Sequence, residues 1–507
     1  MKPIKGAWLL LCLVFATGVV YAQGVGASGD ITGTVTDPSG AGIPKATILV
    51  VETDKGIQHT AETDTSGEYR LAGLAPATYD VTVKISGFQT AVHKGVILTV
   101  GATVVVDFHV RITSASELVE VNAESPVVET QRGSQANTVT QQYIADLPIG
   151  RRDYLTFTLL MPGVSDSTRM ASDTDFRVKQ TPQSGLSFYG SNGRGNSVTV
   201  DGGEANDDSG GVRLTLSQEA VQEFQINRSN YSAELGGASG AAVNIVTKSG
   251  TNETHGTLYA FFRNDGMDAR NPFSFSQALQ PGNVFDPAVP DSQGRPVKDS
   301  LSRQQFGGTV GFPIHKDKTF LFVAFEGLRQ GAQNAVPLLT NTNIFRPDDG
   351  IKNPLNNQVA IINALSAEDG TLVPCFAGQP AIPAASCAAL LTRALTIAPT
   401  TGLSAGAAAR NAFLNSQFEA NGGLFNYNTR EYFASAHFDH HFDEANQISV
   451  NYRFGHDREE NPDVQSLTGF SRGSSIHNYD HTLQAAWFHR FTPRTQNEAR
   501  AVELQRL

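Results

Sequence analysis

The stretch SGAAVNIVTKSGTNETHGTLYAFFRNDG, Ser239 to Gly266, holds two apolar alternating runs joined by a turn-rich, polar piece. In the second run Leu258, Ala260 and Phe262 alternate with Thr257, Tyr259, Phe261 and Arg263 before NDGMDARNPF breaks it. One face is apolar and the other mixed. A strand of about 9–11 residues with two such faces has the length and patterning of a transmembrane β-strand.

Downstream the alternation recurs in RQQFGGTVGFPI, TFLFVAFEGL, REYFASAHFDHHF, QISVNYRFGH, HTLQAAWFHRF and EARAVELQRL. The connections alternate in length. HKDK (His315 to Lys318), DEAN (Asp443 to Asn446) and TPRTQN (Thr492 to Asn497) are short, whereas Asn264 to Leu301, Arg329 to Thr429 and Asp457 to Tyr479 are long. Short periplasmic turns facing long extracellular loops are the asymmetry of an outer-membrane barrel. Phe262, Phe306, Phe320, Tyr432, Phe442, Tyr452 and Phe491 stand at strand ends, where interfacial girdles form. A soluble all-β protein also alternates and also has long loops. About seven strands are counted, and because an open edge in lipid leaves backbone groups unpaired, closing strands are expected downstream of Leu507.

Upstream, Lys2 and Lys5 precede an apolar run from Ala7 to Val20 and a Val20-Tyr21-Ala22 cleavage site, the layout of a signal peptide over residues 1–22. That run is shorter than the ~20 residues a spanning helix needs. Nothing later is long and apolar enough for one, so a membrane-embedded mature chain must cross with strands. The net charge of −11, without a basic patch interleaved with aromatics, argues against nucleic acid as a partner.

From about Asp30 to Val110, period-2 runs mark half-buried strands: Tyr79, Val81, Val83 and Ile85 share one face, as do Val104, Val106, Phe108 and Val110. DPSGAGIP (Asp37 to Pro44) and DTSGE (Asp64 to Glu68) supply turns between them, so residues 23–112 read as a small β-sandwich. The wording ITGTVTDPSGAGIPKATILV and TDTSGEYRLAGLAPATYDVTV resembles the carboxypeptidase-regulatory-like, transthyretin-type domain. Despite that name no zinc arrangement accompanies Glu68 and Tyr69, and the resemblance implies an accessory role.

Next comes SELVEVNAESPVVET, Ser116 to Thr130, short, extended and acidic, within a linker assigned to residues 113–126. Such a segment suits strand addition to a partner's sheet edge. Leu118, Val119, Glu120, Val121, Asn122 and Ala123 resemble the TonB box of TonB-dependent outer-membrane receptors, and a plain interdomain linker is the alternative. Residues 127–252 resemble the receptor plug domain through QQYIADLPIGRRDYLTFTLLMPGV, FYGSNGRGNSVTVDGGEANDD and EAVQEFQINRSNYSAELGGASGAAVNIVTKSGTNETHGTLYAFFRN. The glycines of GGASGAA permit φ > 0 and close backbone approach, as a sheet packed inside a barrel wall requires. The opening stretch is then a plug-to-barrel junction. Within the family the similarity is to the large Oar-like branch, which implies a 22-stranded barrel begun at residues 253–507.

Three constellations invite a chemical reading. His437, Asp439 and His441 of HFDHHF fall on one strand face, but residues two apart lie roughly 7 Å apart, and lumen-facing polarity explains them. Asp201, Glu204, Asp207 and Asp208 of DGGEANDDSGG lack EF-hand spacing and read as a solvated acidic loop. GSNGRGN, Gly190 to Asn196, is a tight turn rather than a phosphate loop. No metal or other cofactor and no catalytic arrangement is expected, so the chain is read as a non-enzyme. Of three cysteines Cys12 leaves with the signal, and Cys375 and Cys387 form either a disulfide contributing roughly 3 kcal/mol or two free thiols.

The expectation is a mostly β chain: a periplasmic β-sandwich, an α/β plug, and the first strands of a transmembrane antiparallel barrel in the outer-membrane lipid. TonB and its inner-membrane complex would energise import of an unidentified extracellular ligand. A surface adhesion or structural protein without solute transport is the alternative, and the loop Arg329 to Thr429 would then make the contacts.

Overall fold

The computed structural model describes residues 27–112, 118–122, 135–147, 154–166, 186–191, 195–206, 212, 216–231, 235, 237–270, 298–336, 372–373, 382–383, 423–461, 473–492 and 495–506. The signal segment, Ala123, Asp207, Asp208, Cys375 and Cys387 lie outside them.

The N-terminal strands are β1 (Gly29–Thr36), β2 (Thr47–Glu52), β3 (Gln58–Glu62), β4 (Glu68–Leu74), β5 (Ala77–Lys84), β6 (Thr90–Leu98), β7 (Thr103–Val105), β8 (Phe108–His109) and β9 (Leu118–Asn122). One sheet runs β4-β1-β7 with β8 also on β1, and the other runs β3-β2-β5-β6-β9. Their inner faces bury Ile31, Val35, Ile48, Val50, Tyr79, Val81, Val83, Val106 and Phe108, the alternate residues of each strand. The turns form as their composition dictates. Asp37 Oδ1 accepts the amides of Ser39 and Ala41, Asp64 Oδ1 accepts those of Ser66 and Glu68, and Gly40 and Gly67 take positive φ.

The middle unit comprises β10 (Gln135–Val139), β11 (Val164–Asp166), β12 (Leu186–Phe188), β13 (Ser197–Val200), β14 (Gly203–Glu204), β15 (Val221–Ser229) and β16 (Ala242–Thr247). Its main sheet is β10-β15-β16-β13-β14, with β13 parallel to β16 and the other pairs antiparallel. All six residues of β16 are buried, as a central strand covered on both faces must be. The α/β character rests on one six-residue helix, Gln141–Asp146, the one α-helix among the described residues.

Seven long strands follow in strict sequential, antiparallel order: β17 (His255–Asn264), β18 (Leu301–His315), β19 (Thr319–Val336), β22 (Gly423–His441), β23 (Asn446–Glu460), β24 (Ser475–Thr492) and β25 (Thr495–Arg506). Between β19 and β22, β20 (Leu372–Val373) and β21 (Ile382–Pro383) form a separate small ladder. Each sequence-read strand is present, but several run further than the alternation indicated. The β19–β22 ladder continues past Arg329↔Arg430 to Val336↔Gly423, because the strands project beyond the apolar band into polar sequence that still pairs. Leu258, Phe262, Val310, Phe325, Leu483 and Trp487 point outward and are exposed, whereas Gln305, Glu326, Thr429, Asn451, Arg453 and Gln484 point inward and are buried. Apolar-out, polar-in alternation is the pattern of a lipid-facing barrel wall. No helix among the described residues is long and apolar enough to cross a membrane. Phe320 departs from the girdle expectation: it is fully buried on the inner face, in phase with Phe322 and Ala324.

The inner face of this wall packs on the middle unit. Phe322 and Ala324 join a core with Phe224, Ile226, Val243 and Ile245. At the junction between them an ideal Cβ on Gly250 would lie 2.7 Å from the Leu321 carbonyl oxygen and 2.8 Å from that of Phe312. Only glycine lets the chain pass that closely along the wall, which is why the strand of the middle unit ends in glycine before the barrel begins.

Candidate functional site

The residues with the densest polar chemistry lie where the three parts meet. Lys55, in the β2–β3 turn, is buried with its Nζ 3.8 Å from Glu52, 3.5 Å from Asp439 on β22 and 5.6 Å from the centre of the Phe320 ring. Burial works against its charge, yet Glu52 and Asp439 outweigh it and raise its pKa above the ordinary lysine value. Asp439 also accepts the Ser249 hydroxyl and meets His437 Nε2 at 3.1 Å. His437 reaches Ser449 at 3.0 Å and, through Nδ1, Thr247 at 2.7 Å. Thr247 donates to Asp201, which also accepts the Thr247 amide and Asn451 Nδ2.

HFDHHF therefore faces inward, with His437, Asp439 and His441 on one face as its alternation indicates. His437 and Asp439 bond to the middle unit, and Asp439 and the buried His441 lie by the N-terminal domain. Asp201 corrects the solvated-loop reading. It is buried, sits at φ +48°, and with Gly202 forms a turn held by the wall: Gln484 Nε2 donates to the Asp201 carbonyl at 2.7 Å and Arg500 Nη1 to that of Gly202 at 2.7 Å. Glu204 remains exposed. A cavity of about 390 Å³ opens among these groups, lined by Lys55, Thr247, His437, Asp439, Asn451 and Gln484. Its walls both donate and accept hydrogen bonds. Further along the inner face Glu431, Asp457 and Glu459 bring carboxylate oxygens within 4.8 Å of one another, a group that the sequence reading did not single out.

Further contacts seat the N-terminal domain. Asn252 donates its amide to the Asp54 carbonyl at 3.0 Å and its side chain to Asp317, and Thr60 donates to Glu444 at 3.1 Å. Asp317 and Glu444 belong to the short turns HKDK and DEAN, so the domain sits at the short-turn end of the wall. On the middle sheet, Val100 donates its amide to Glu223 and its carbonyl accepts Gln225 Nε2 at 2.7 Å. Burial pushes the Glu223 carboxyl up to about 7.

The segment Leu118–Asn122 is β9. It pairs in parallel with β6, from Thr90↔Leu118 to Lys94↔Asn122, and is the edge of its five-stranded sheet.

Two family models match. Residues 246–503, just over half of the chain, match the outer membrane beta barrel domain, and residues 30–111 match the carboxypeptidase regulatory-like domain. The chain is 28% identical over 325 residues to the TonB-dependent transporter Oar of Myxococcus xanthus, covering 62% of this chain and 28% of that protein. It is 26% identical over 204 residues to the probable TonB-dependent siderophore receptor PirA of Acinetobacter baumannii, covering 38% of this chain and 24% of that one. Among solved structures, the outer membrane transporter YddB from Escherichia coli aligns with a TM-score of 0.40 at 11% identity, over 70% of this chain and 37% of that one. The matches span about a quarter of the length of these curated relatives. The wall's inward and outward faces and the matching model lead to one conclusion: the chain belongs to the outer-membrane β-barrel domain family, and a carboxypeptidase-regulatory-like domain precedes its barrel strands.

Proposed function

We propose that the chain imports an extracellular ligand across the outer membrane with energy delivered by TonB. In this reading residues 23–112 are a periplasmic domain, residues 113–126 carry the TonB contact at Leu118–Ala123, residues 127–252 are the plug, and residues 253–507 are barrel. The observation that carries it is a sheet packed against the inner face of a lipid-patterned wall, with its fixed contacts concentrated toward the short-turn end. A lumen filled in this way needs mechanical work to open.

In this reading Leu118–Asn122 receives that work. It is extended, recognisable through its backbone, and upstream of β10, which among the described residues is an edge strand of the middle sheet paired with β15. Traction on it reaches the plug through the β10–β15 ladder and through the Val100 seat on Glu223 and Gln225. The buried bonds from Thr247, Ser249 and Asp201 to the wall are what that traction must break, and the cavity beside them is where a path would begin.

A proline at Val119 removes a backbone donor from the contact strand. The Val119→Pro receptor should reach the outer membrane at wild-type level and fail to retain the purified periplasmic domain of TonB. Wild-type retention would remove the segment from the mechanism.

A further inference from the structure

The two edges of the β3-β2-β5-β6-β9 sheet are treated differently. At β3 the edge meets the barrel: Thr60 bonds Glu444, and His59 is half-buried beside Arg490 and His441. At the opposite edge, β9 has β6 as its one neighbour among the described residues. Four inter-strand steps of ~4.8 Å put β9 about 19 Å from β3, at the other edge of the sheet. Half of the β9 backbone groups point to β6, and the alternate row points outward. Exposed edges are usually blunted by lysine, proline or a bulge. LVEVN has neither residue, and its register with β6 is continuous.

We propose that the N-terminal domain is a platform that presents this strand, so that TonB adds its own strand to the open edge of β9 while β9 stays docked on β6. The inference rests on the reading of Leu118–Asn122 as the TonB contact. Docking fixes the five residues in an extended, in-register row before the partner arrives, and preorganisation of that kind tightens binding by removing the ordering cost. TonB then grips a folded domain rather than a loose peptide, and traction acts through the domain's seats at Lys55 and Val100 as well as through the chain leading to β10.

A reversible lock tests this. In full-length receptor in detergent, Lys94→Cys with Asn122→Cys joins paired residues at one end of the ladder, and Thr90→Cys with Leu118→Cys does so at the other. Wild-type receptor, which has only its own cysteines, goes through the same oxidation and reduction as a control. The probe is the purified periplasmic domain of TonB, and the readout is its Kd before and after reduction. On the platform account the locked receptor binds as tightly as the reduced one or more tightly. A Kd that rises more than threefold on locking and recovers on reduction would mean that TonB displaces β9 from β6. Failure of both pairs to form a disulfide would remove the docked strand itself. Val119→Pro without the lock separates the two levels: wild-type affinity there sinks the TonB-contact reading, whereas lost affinity with a lock-sensitive Kd sinks only the platform.

Discussion

Replacing Lys55 by methionine keeps the aliphatic stem over Phe320 and deletes the charge between Glu52 and Asp439. Removing one partner of a buried ion pair costs about 3–5 kcal/mol, because the other charge stays buried. Asp439 keeps His437 and Ser249, so the lower end applies. A cost of about 3 kcal/mol lowers the docking equilibrium of the N-terminal domain by roughly 100-fold. Two amides report it directly: Asn252 donates to Asp54, and Val100 donates to Glu223, both across the seat. Hydrogen exchange of these amides should accelerate by roughly the same factor, while Val81 and Val83 inside the sandwich stay protected. The double variant Lys55→Met/Asp439→Asn removes one of the two stranded carboxylates, leaving Glu52, and should recover part of the loss. Exchange at Asn252 within threefold of wild type would refute the claim that the ion pair holds the domain to the wall.

Glu223 adds a pH dependence. Its carboxyl ionises near 7 in the folded protein and near 4.5 in the unfolded chain, so its contribution to stability is fully present below about 4.5, is lost as pH rises between the two values and levels above 7. Glu223→Gln should flatten that profile, read from the midpoint of thermal unfolding in detergent across the same pH range. Asp201→Ala strands the buried Thr247 amide, at a cost of about 1–3 kcal/mol, and should lower the midpoint of thermal unfolding of the receptor in detergent. Gly250→Val forces a side chain into backbone within 3 Å, and overpacking of this kind costs typically 1–3 kcal/mol. It should raise protease sensitivity at the junction between the middle unit and the wall while the strands of the wall stay resistant.

The strands were legible because period-2 alternation is imposed by the pleat itself, and the turns because Asp37 and Asp64 build them locally. Strand ends were not, since the inner ladder beyond Leu328 is polar and reads like loop. Phe320 misled for a related reason: in TFLFVAF both faces are apolar, so alternation cannot say which one meets lipid. The site was the least legible part. Lys55 sits in an ordinary turn and meets a partner 384 residues away, and nothing local distinguishes it from a solvated lysine. Asp201 stood among three other carboxylates, and only the fold shows that it faces the wall. The segment Leu118–Asn122 was legible as extended, but its seat on β6 depends on pairing across the sandwich that no local pattern records.

The central claim, that Leu118–Asn122 is where TonB takes hold, is tested most directly in cells. A receptor carrying Val119→Cys is expressed with TonB variants bearing single cysteines along their periplasmic domain, and the outer-membrane fraction is oxidised and resolved without reductant. The account predicts a receptor–TonB conjugate that forms at a register of alternate TonB positions and is absent for wild-type receptor. A receptor present at normal level in the outer membrane with no conjugate at any position would contradict it.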